Sequence, residues 1–220
     1  IMHEWTELIR QDMRPALGVT EPGAIAFAVA TARKHTTGNI RRIVLGLNSG
    51  MFKNAFTCGI PGSDEVGNAH AAALGAVGAD PEKGLECLDG ITPEQAQRAR
   101  EMVEEGCVKV EMREITSRIF IEATVETDLG TACVTIRDSH TNIVKITENG
   151  AVVWEKTVEA EKHEEEVPLI HRYTLAQLYD YVQTVPIEEL YFIRKAFVTN
   201  LTLFEAGLNS PKTSFVRYLL

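Results

Sequence analysis

Apolar and polar positions alternate along this chain in two distinct rhythms. Residues 3–13 place Trp5, Leu8, Ile9 and Met13 at helical spacing, with Pro15 as a stop. A second helix opens at Thr20 and runs to about His35. Its side chains, Ala24 to Ala30 with Ile25, Phe27 and Val29, are too small and too uniformly apolar for a surface helix. Thr36-Thr37-Gly38-Asn39 breaks it, and Ile40 to Leu47 reads as a strand. Residues 48–62 look irregular. Ser63 or Asp64 then caps an alanine-rich helix, expected from Glu65 to Val77 and interior because alanines allow close helix packing. Asp80-Pro81-Glu82 and Thr92-Pro93-Glu94 each start a further helix.

Beyond Gly106 the rhythm changes. Val108–Met112, Ile119–Glu126, Ala132–Arg137, Ile143–Thr147 and Val152–Glu155 are five short strands, turned at Asp128-Leu129-Gly130 and at Glu148-Asn149-Gly150. Helices return at Leu175–Tyr181 and from Ile187 to about Glu205, with Gly207 as a C-cap. This order predicts an α+β fold: N-terminal helices including a buried Ala-rich one, a mainly antiparallel sheet of about five to six strands joined by the Ile40 strand, and C-terminal helices. The expected organisation is one α+β domain over residues 1–209.

Composition narrows the function classes. The 220 residues carry a formal charge of −9, which argues against nucleic acid and anionic membrane surfaces as partners. Part of the excess is the acidic run Glu155–Glu166, read as a solvated loop. No apolar run reaches the roughly 20 residues of a membrane span and no leader pattern is evident, so the expected location is the cytoplasm. Cys58, Cys87, Cys107 and Cys133 are spaced too widely for a C-x-x-C metal or redox motif, and read as free thiols. No metal site is expected in this chain.

Three stretches could carry chemistry. Thr20-Glu21-Pro22 opens a buried helix, with Thr20 as the expected N-cap. Its amides and the Thr20 hydroxyl could hold a carboxylate, and Glu21 an ammonium; an ordinary helix cap explains the same residues. Gly59-Ile60-Pro61-Gly62-Ser63 precedes another helix and could form an anion nest around Gly62 and Ser63, or simply a structural turn. Lys53 and Asn54 lie just upstream, where Lys53 could meet a substrate carboxylate or merely be solvated. Asp138-Ser139-His140-Thr141-Asn142 is a polar knot between strands; His140 could act as a general acid or base, or be a turn histidine.

Several of these stretches recur in one order elsewhere. Leu17-Gly18-Val19-Thr20-Glu21-Pro22, Lys53-Asn54, Ile60-Pro61-Gly62, Ala71–Ala76 and His140-Thr141-Asn142-Ile143-Val144 make the chain, from Arg14 to Gly207, resemble the L-cysteine desulfidase family, related to the alpha chain of iron–sulfur L-serine dehydratases. The resemblance implies a lyase that releases sulfide from cysteine, or water from serine, to give pyruvate and ammonia. It implies an iron–sulfur cluster acting as Lewis acid, whose ligands lie in a half of the family's length that this chain lacks. No cluster is therefore expected on residues 1–220 themselves.

By the same resemblance Thr20, Glu21, Lys53, Asn54, Gly62, Ser63, Thr141 and Asn142 bind a small amino-acid substrate, and His140 belongs to the pocket. The family's turn reads Cys-Thr-Glu-Pro, its cysteine taking part in proton transfer during elimination; Val19 occupies that position here and cannot transfer a proton. Cys58, in the glycine-bearing loop, could approach the same pocket. A lyase half completed by a missing C-terminal half or partner subunit, with residues 210–220 as the start of that half, is one expectation. A catalytically inactive module that binds an amino acid for sensing or regulation is another, and a domain stabilising a homo-oligomer is a third.

Overall fold

The structure, a computed structural model, describes residues 3–13, 18–116, 118–157 and 168–210. The chain divides into two compact units, Ala16–Glu159 and a second made of Ile1–Pro15 with Ala160–Leu220. The expected turn residues Arg14 to Leu17 and the segment 211–220 lie outside the described residues.

The smaller unit begins with α1 (Glu4–Asp12). In the larger unit α2 (Thr20–Lys34) is followed by β1 (Ile40–Asn48), α3 (Ser49–Ala55), α4 (Asn68–Val77) and α5 (Pro93–Glu104), with a 3-10 turn at Pro81–Glu86. Five strands follow: β2 (Val108–Glu114), β3 (Phe120–Thr127), β4 (Thr131–Arg137), β5 (Ile143–Glu148) and β6 (Ala151–Glu155). The smaller unit resumes with α6 (Leu175–Thr184) and α7 (Tyr191–Asn209), preceded by short 3-10 turns. The fold is α+β, as the residue pattern predicts, and its sheet is mostly antiparallel.

The six strands run in the order β2-β1-β3-β4-β5-β6. The Ile40 strand does join the later sheet, and it does so near the centre. It pairs in parallel with β2, across the crossover that carries α3, α4 and α5, and antiparallel with β3. Alternation along the strands separates the two faces. One aligned row, Val110–Leu45–Ala123–Val134–Ile146, turns inward. Leu45, Ala123 and Val134 are fully buried. The neighbouring row, Glu111–Gly46–Glu122–Thr135–Lys145–Glu155, faces away and is polar. Arg113 spans this outer row, 2.8 Å from Glu111 and 3.8 Å from Glu122, and its stem fills the space above Gly46.

The β5–β6 turn forms as expected from Asn149-Gly150. Both residues take positive φ, 50° and 84°, the conformation a two-residue hairpin needs and that Asn and Gly tolerate best.

Two expectations about local structure need correction. Residues 49–55 form α3 rather than an irregular loop, which places Lys53 and Asn54 on a helix. The alanine-rich helix begins at Asn68, with Gly67 at its N-cap, rather than at Glu65 capped by Ser63 or Asp64. The Ser63 hydroxyl instead accepts from the amide of Glu65, closing a turn before the helix. Asn48, at the end of β1, is 1% exposed. Its Nδ2 donates to the carbonyl of Thr116 at 2.9 Å, and its Oδ1 accepts from the amide of Phe120 at 3.1 Å. A buried amide satisfied on both sides clasps β1 to the start of β3.

The core lies between the inner sheet face and the helices. α2 is buried from Pro22 to Ala30 because it is covered on several sides: by β3 and β4, by α4, and by the turn at Pro81–Glu86. Small residues make this possible. A methyl group at Gly75 would lie 2.6 Å from the carbonyl oxygen of Ala26 and 3.0 Å from Cβ of Val29. A methyl at Gly23 would lie 2.8 Å from the carbonyl oxygen of Leu85.

In the smaller unit, α1 is held by a buried hydroxyl. Thr6 donates to Glu189 Oε2 at 3.0 Å and so accepts from the Tyr181 hydroxyl at 2.8 Å. Trp5 packs edge-on to Tyr173, and Arg10 lies over the ring of Phe192. Leu175, Tyr179 and Val182 on α6 are exposed. No described helix is long and apolar enough to cross a membrane.

Gly75→Ala tests the helix contact by its sign. In an open helix the change would stabilise, by about 0.5–1 kcal/mol. Against Ala26 it should cost about 1–3 kcal/mol, lowering the urea midpoint of unfolding at an unchanged slope.

Candidate functional site

The start of α2 is where the candidate residues meet. Val19, not Thr20, is the N-cap: its backbone is extended, its side chain makes no cap hydrogen bond, and it is 49% exposed. Thr20 is the first helical residue. The expectation that its hydroxyl caps the helix therefore fails, and the reason is informative. A cap would have turned the hydroxyl back on its own helix; instead Thr20 Oγ1 lies 3.2 Å from Nε2 of His140, 120 residues away. Glu21 Oε1 accepts from Asn54 Nδ2 at 3.2 Å, and so ties the first turn of α2 to α3. Pro22 costs nothing here, since its missing N–H is one a helix leaves unpaired anyway.

His140 is presented by the β4–β5 turn, and that turn is tightly built. Asp138 takes a positive φ of 66°, allowed to a short polar side chain, and its amide donates to the carbonyl of Ile119. Asn142 binds the turn from both ends of its amide. Nδ2 donates to the carbonyl of Arg137 at 2.8 Å, and Oδ1 accepts from Lys156 Nζ at 3.0 Å. Asn142 is thus engaged in holding the turn that carries His140. Thr141 is exposed and offers its carbonyl to the amide of Ile143.

Cys58 joins the cluster. Its thiol donates to the carbonyl of Asn54 at 2.6 Å. Burial first, and the negative charge of Glu21 second, raise its pKa above the ordinary thiol value. The thiol is kept protonated, the opposite of what an activated nucleophile needs and the state a proton donor needs. Its place in the glycine-bearing loop is visible in the sequence; its approach to Glu21 depends on α3, which residue pattern alone does not reveal.

The remaining candidates fall outside this cluster. Lys53 is exposed on α3, and among the described residues its ammonium has no ion pair. The stretch Gly59–Ser63 folds against Val66 as a small hairpin, using its amides internally: Ile60 N donates to the carbonyl of Glu65, and Ser63 N to that of Ile60. Gly62 adopts φ +76° and lies against Leu88. The structural-turn reading of this loop therefore accounts for two of the amides an anion nest would need. The loop still reaches the site's edge, since a methyl at Gly18 would lie 3.8 Å from Cγ of Pro61.

His70, outside the site, has Nδ1 3.1 Å from the carbonyl of Val66 and Nε2 3.4 Å from Glu65, which also meets Arg100 at 2.6 Å. Lys156, not a sequence candidate, braces the turn that carries His140 through Asn142.

The donor set bears on the implied cluster. Among the described residues no three His, Cys, Asp or Glu side chains are grouped so as to hold a metal ion. Cys87 is fully buried with its pKa pushed up to about 12, chiefly by burial. The described residues offer no ligand set that fits an iron–sulfur cluster.

The geometry thus defines an α+β protein with a Thr–His pair at the start of a buried helix. The chain is similar to UPF0597 proteins. It is 34% identical over 202 residues to one from Dichelobacter nodosus, covering 92% of this chain and 47% of that relative. It is 34% identical over 207 residues to one from Clostridium botulinum strain Langeland, 91% and 48% of the two chains. For one from Yersinia enterocolitica serotype O:8 the identity is 36% over 211 residues, 93% and 48%. The chain spans about half the length of the curated relatives it matches. No family model matches it. No solved structure matches it.

The coupling of Cys58 to Glu21 is open to measurement. Alkylation of Cys58, followed peptide by peptide, should rise at higher pH than that of an ordinary thiol. Glu21→Gln removes the charge that opposes the thiolate and should move that midpoint downward, leaving the part due to burial. An unchanged midpoint means the two side chains do not interact.

Proposed function

We propose that the start of α2 binds a small L-α-amino acid and forms part of a lyase that eliminates sulfide from L-cysteine or water from L-serine. The observation that carries this reading is the Thr20–His140 hydrogen bond, 3.2 Å across 120 residues, made by a hydroxyl that local structure would otherwise have claimed. The motif resemblance supports the substrate class. In this reading the unpaired amides at the start of α2 receive the substrate carboxylate. Glu21, oriented by Asn54, receives the ammonium.

Elimination removes a proton from Cα and expels hydrosulfide or hydroxide from Cβ, and the resulting aminoacrylate hydrolyses to pyruvate and ammonia. In this reading the Thr20–His140 pair handles the proton, the Thr20 hydroxyl passing it between substrate and Nε2 of His140. The protonated thiol of Cys58 is a second donor beside Glu21, where Val19 supplies none. A second reading is favoured by Val19 itself. An aliphatic, half-exposed side chain at the N-cap suits a module that binds an amino acid without converting it.

Thermal unfolding with L-serine, L-cysteine and propionate separates these outcomes. The reading expects the two amino acids to raise the midpoint, propionate not to, and both Glu21→Gln and His140→Ala to abolish the rise. Pyruvate formed anaerobically, with iron supplied, by this chain mixed with the unmatched half of a relative selects the lyase. Binding without pyruvate selects the module. No response to either amino acid removes both.

A further inference from the structure

The outer part of α7 is built for burial yet lies bare. Phe197, Leu201, Phe204 and Leu208 recur at the i, i+4, i+7 and i+11 spacing of one helix face. Phe197 is 65% exposed, Leu201 43% and Phe204 41%, and no residue of α7 is buried. The polar side chains between them do not turn to water as acceptors or donors alone. Thr199, Asn200, Thr202 and Asn209 each donate back to the carbonyl four residues earlier, at 2.8–3.1 Å. Groups satisfied within their own helix can be covered by apolar surface with little of the penalty that burial imposes on unpaired polar atoms. From Ala196 to Asn209 the only charged side chain is Glu205. A helix meant for solvent carries charges on its outer face, and one meant for an anionic membrane surface carries Lys and Arg there. This stretch carries Glu205 alone and no Lys or Arg, and it does not qualify as a membrane span.

We propose that this face of α7 is a protein-docking surface, and that its occupant is a polypeptide equivalent to the half of the relatives' length that this chain does not match. The length argument supplies the occupant. Three UPF0597 relatives align with more than nine-tenths of this chain, yet that match covers only 47–48% of each. A comparable length of chain accompanies this fold in each of them. Its contact surface must offer an apolar groove that accepts a row of alternating aromatic and leucine side chains, with few charges. The inference goes beyond the reading of the Thr20–His140 site and does not rest on it.

The test uses the full 220-residue chain and, as probe, the part of the Dichelobacter nodosus relative outside its match, produced as a separate polypeptide. Light scattering and calorimetry should find a one-to-one complex. Hydrogen exchange in residues 191–209 should be fast in the free chain and slowed in the complex. The double variant Leu201→Glu/Phe204→Glu should fold as the parent does, because both positions are exposed. It should weaken the complex on the order of 100-fold, as loss of central apolar anchors does. Four results overturn the proposal: no complex at tens of micromolar, a complex that the double variant leaves intact, slow exchange already present in the free chain, or concentration-dependent pairing of the chain with itself through α7. Failure of amino-acid binding leaves each of these readouts unaffected, so the two ideas fail separately.

Discussion

The approach of α4 to α2, with Gly75 against the backbone of Ala26, is the constraint on which the larger unit is built. Helices that close leave no room for side chains between them, so the contact is backbone against small residues. It holds α2 across the inner face of the sheet, over β3 and β4, and buries it along most of its length. A helix packed on so many sides has few ways to shift. Its first turn is therefore a fixed point, and Thr20 and Glu21 are delivered to one place. The chemistry proposed for the site depends on that rigidity more than on any single polar group.

The site itself is assembled by turns that are independently braced. Asn142 and Lys156 hold the β4–β5 turn, Asp138 accepts an uncommon backbone conformation to form it, and Asn54 arrives on α3. None of these braces belongs to the helix that carries Thr20. Residues far apart in the sequence are thereby brought within hydrogen-bonding distance, while the loop at Gly59–Ser63 spends its amides on itself. The contrast shows why spacing in sequence and proximity in space diverge here: a glycine-bearing loop can close on its own carbonyls, whereas a hydroxyl at the first helical position remains free to look outward.

Most of the fold was legible in the residue pattern, and the reasons differ by element. α2 and α4 announced themselves by their small apolar side chains, the strands by alternation, and the β5–β6 turn by Asn149-Gly150. What escaped was set by tertiary contact. α3, Ser49–Ala55, is too short to show a periodicity. Ser63 can cap a helix or close a turn, and only the packing of Gly67 against Phe56 fixes where α4 starts. Asn48 reads as the start of an irregular stretch, because nothing local shows that its amide will meet Thr116 and Phe120. Thr20 misled for a related reason. Its sequence context suits a cap, and only the arrival of the β4–β5 turn gives its hydroxyl a different partner.

The place of β1 in the sheet has a consequence for how the polypeptide reaches its native state. Both neighbours of this near-central strand, β2 and β3, are synthesised long after it, so every pairing it makes is non-local. Such pairings carry a loop-closure cost before they return any stabilisation, which raises contact order and slows folding. Until they form, Ile43, Leu45 and Leu47 have no sheet to enter, and the strand's open hydrogen-bonding edges can recruit another nascent chain. The interval between the emergence of residue 48 and that of residue 127 is therefore the period of greatest hazard for aggregation, and the stretch on which a chaperone would act to most effect.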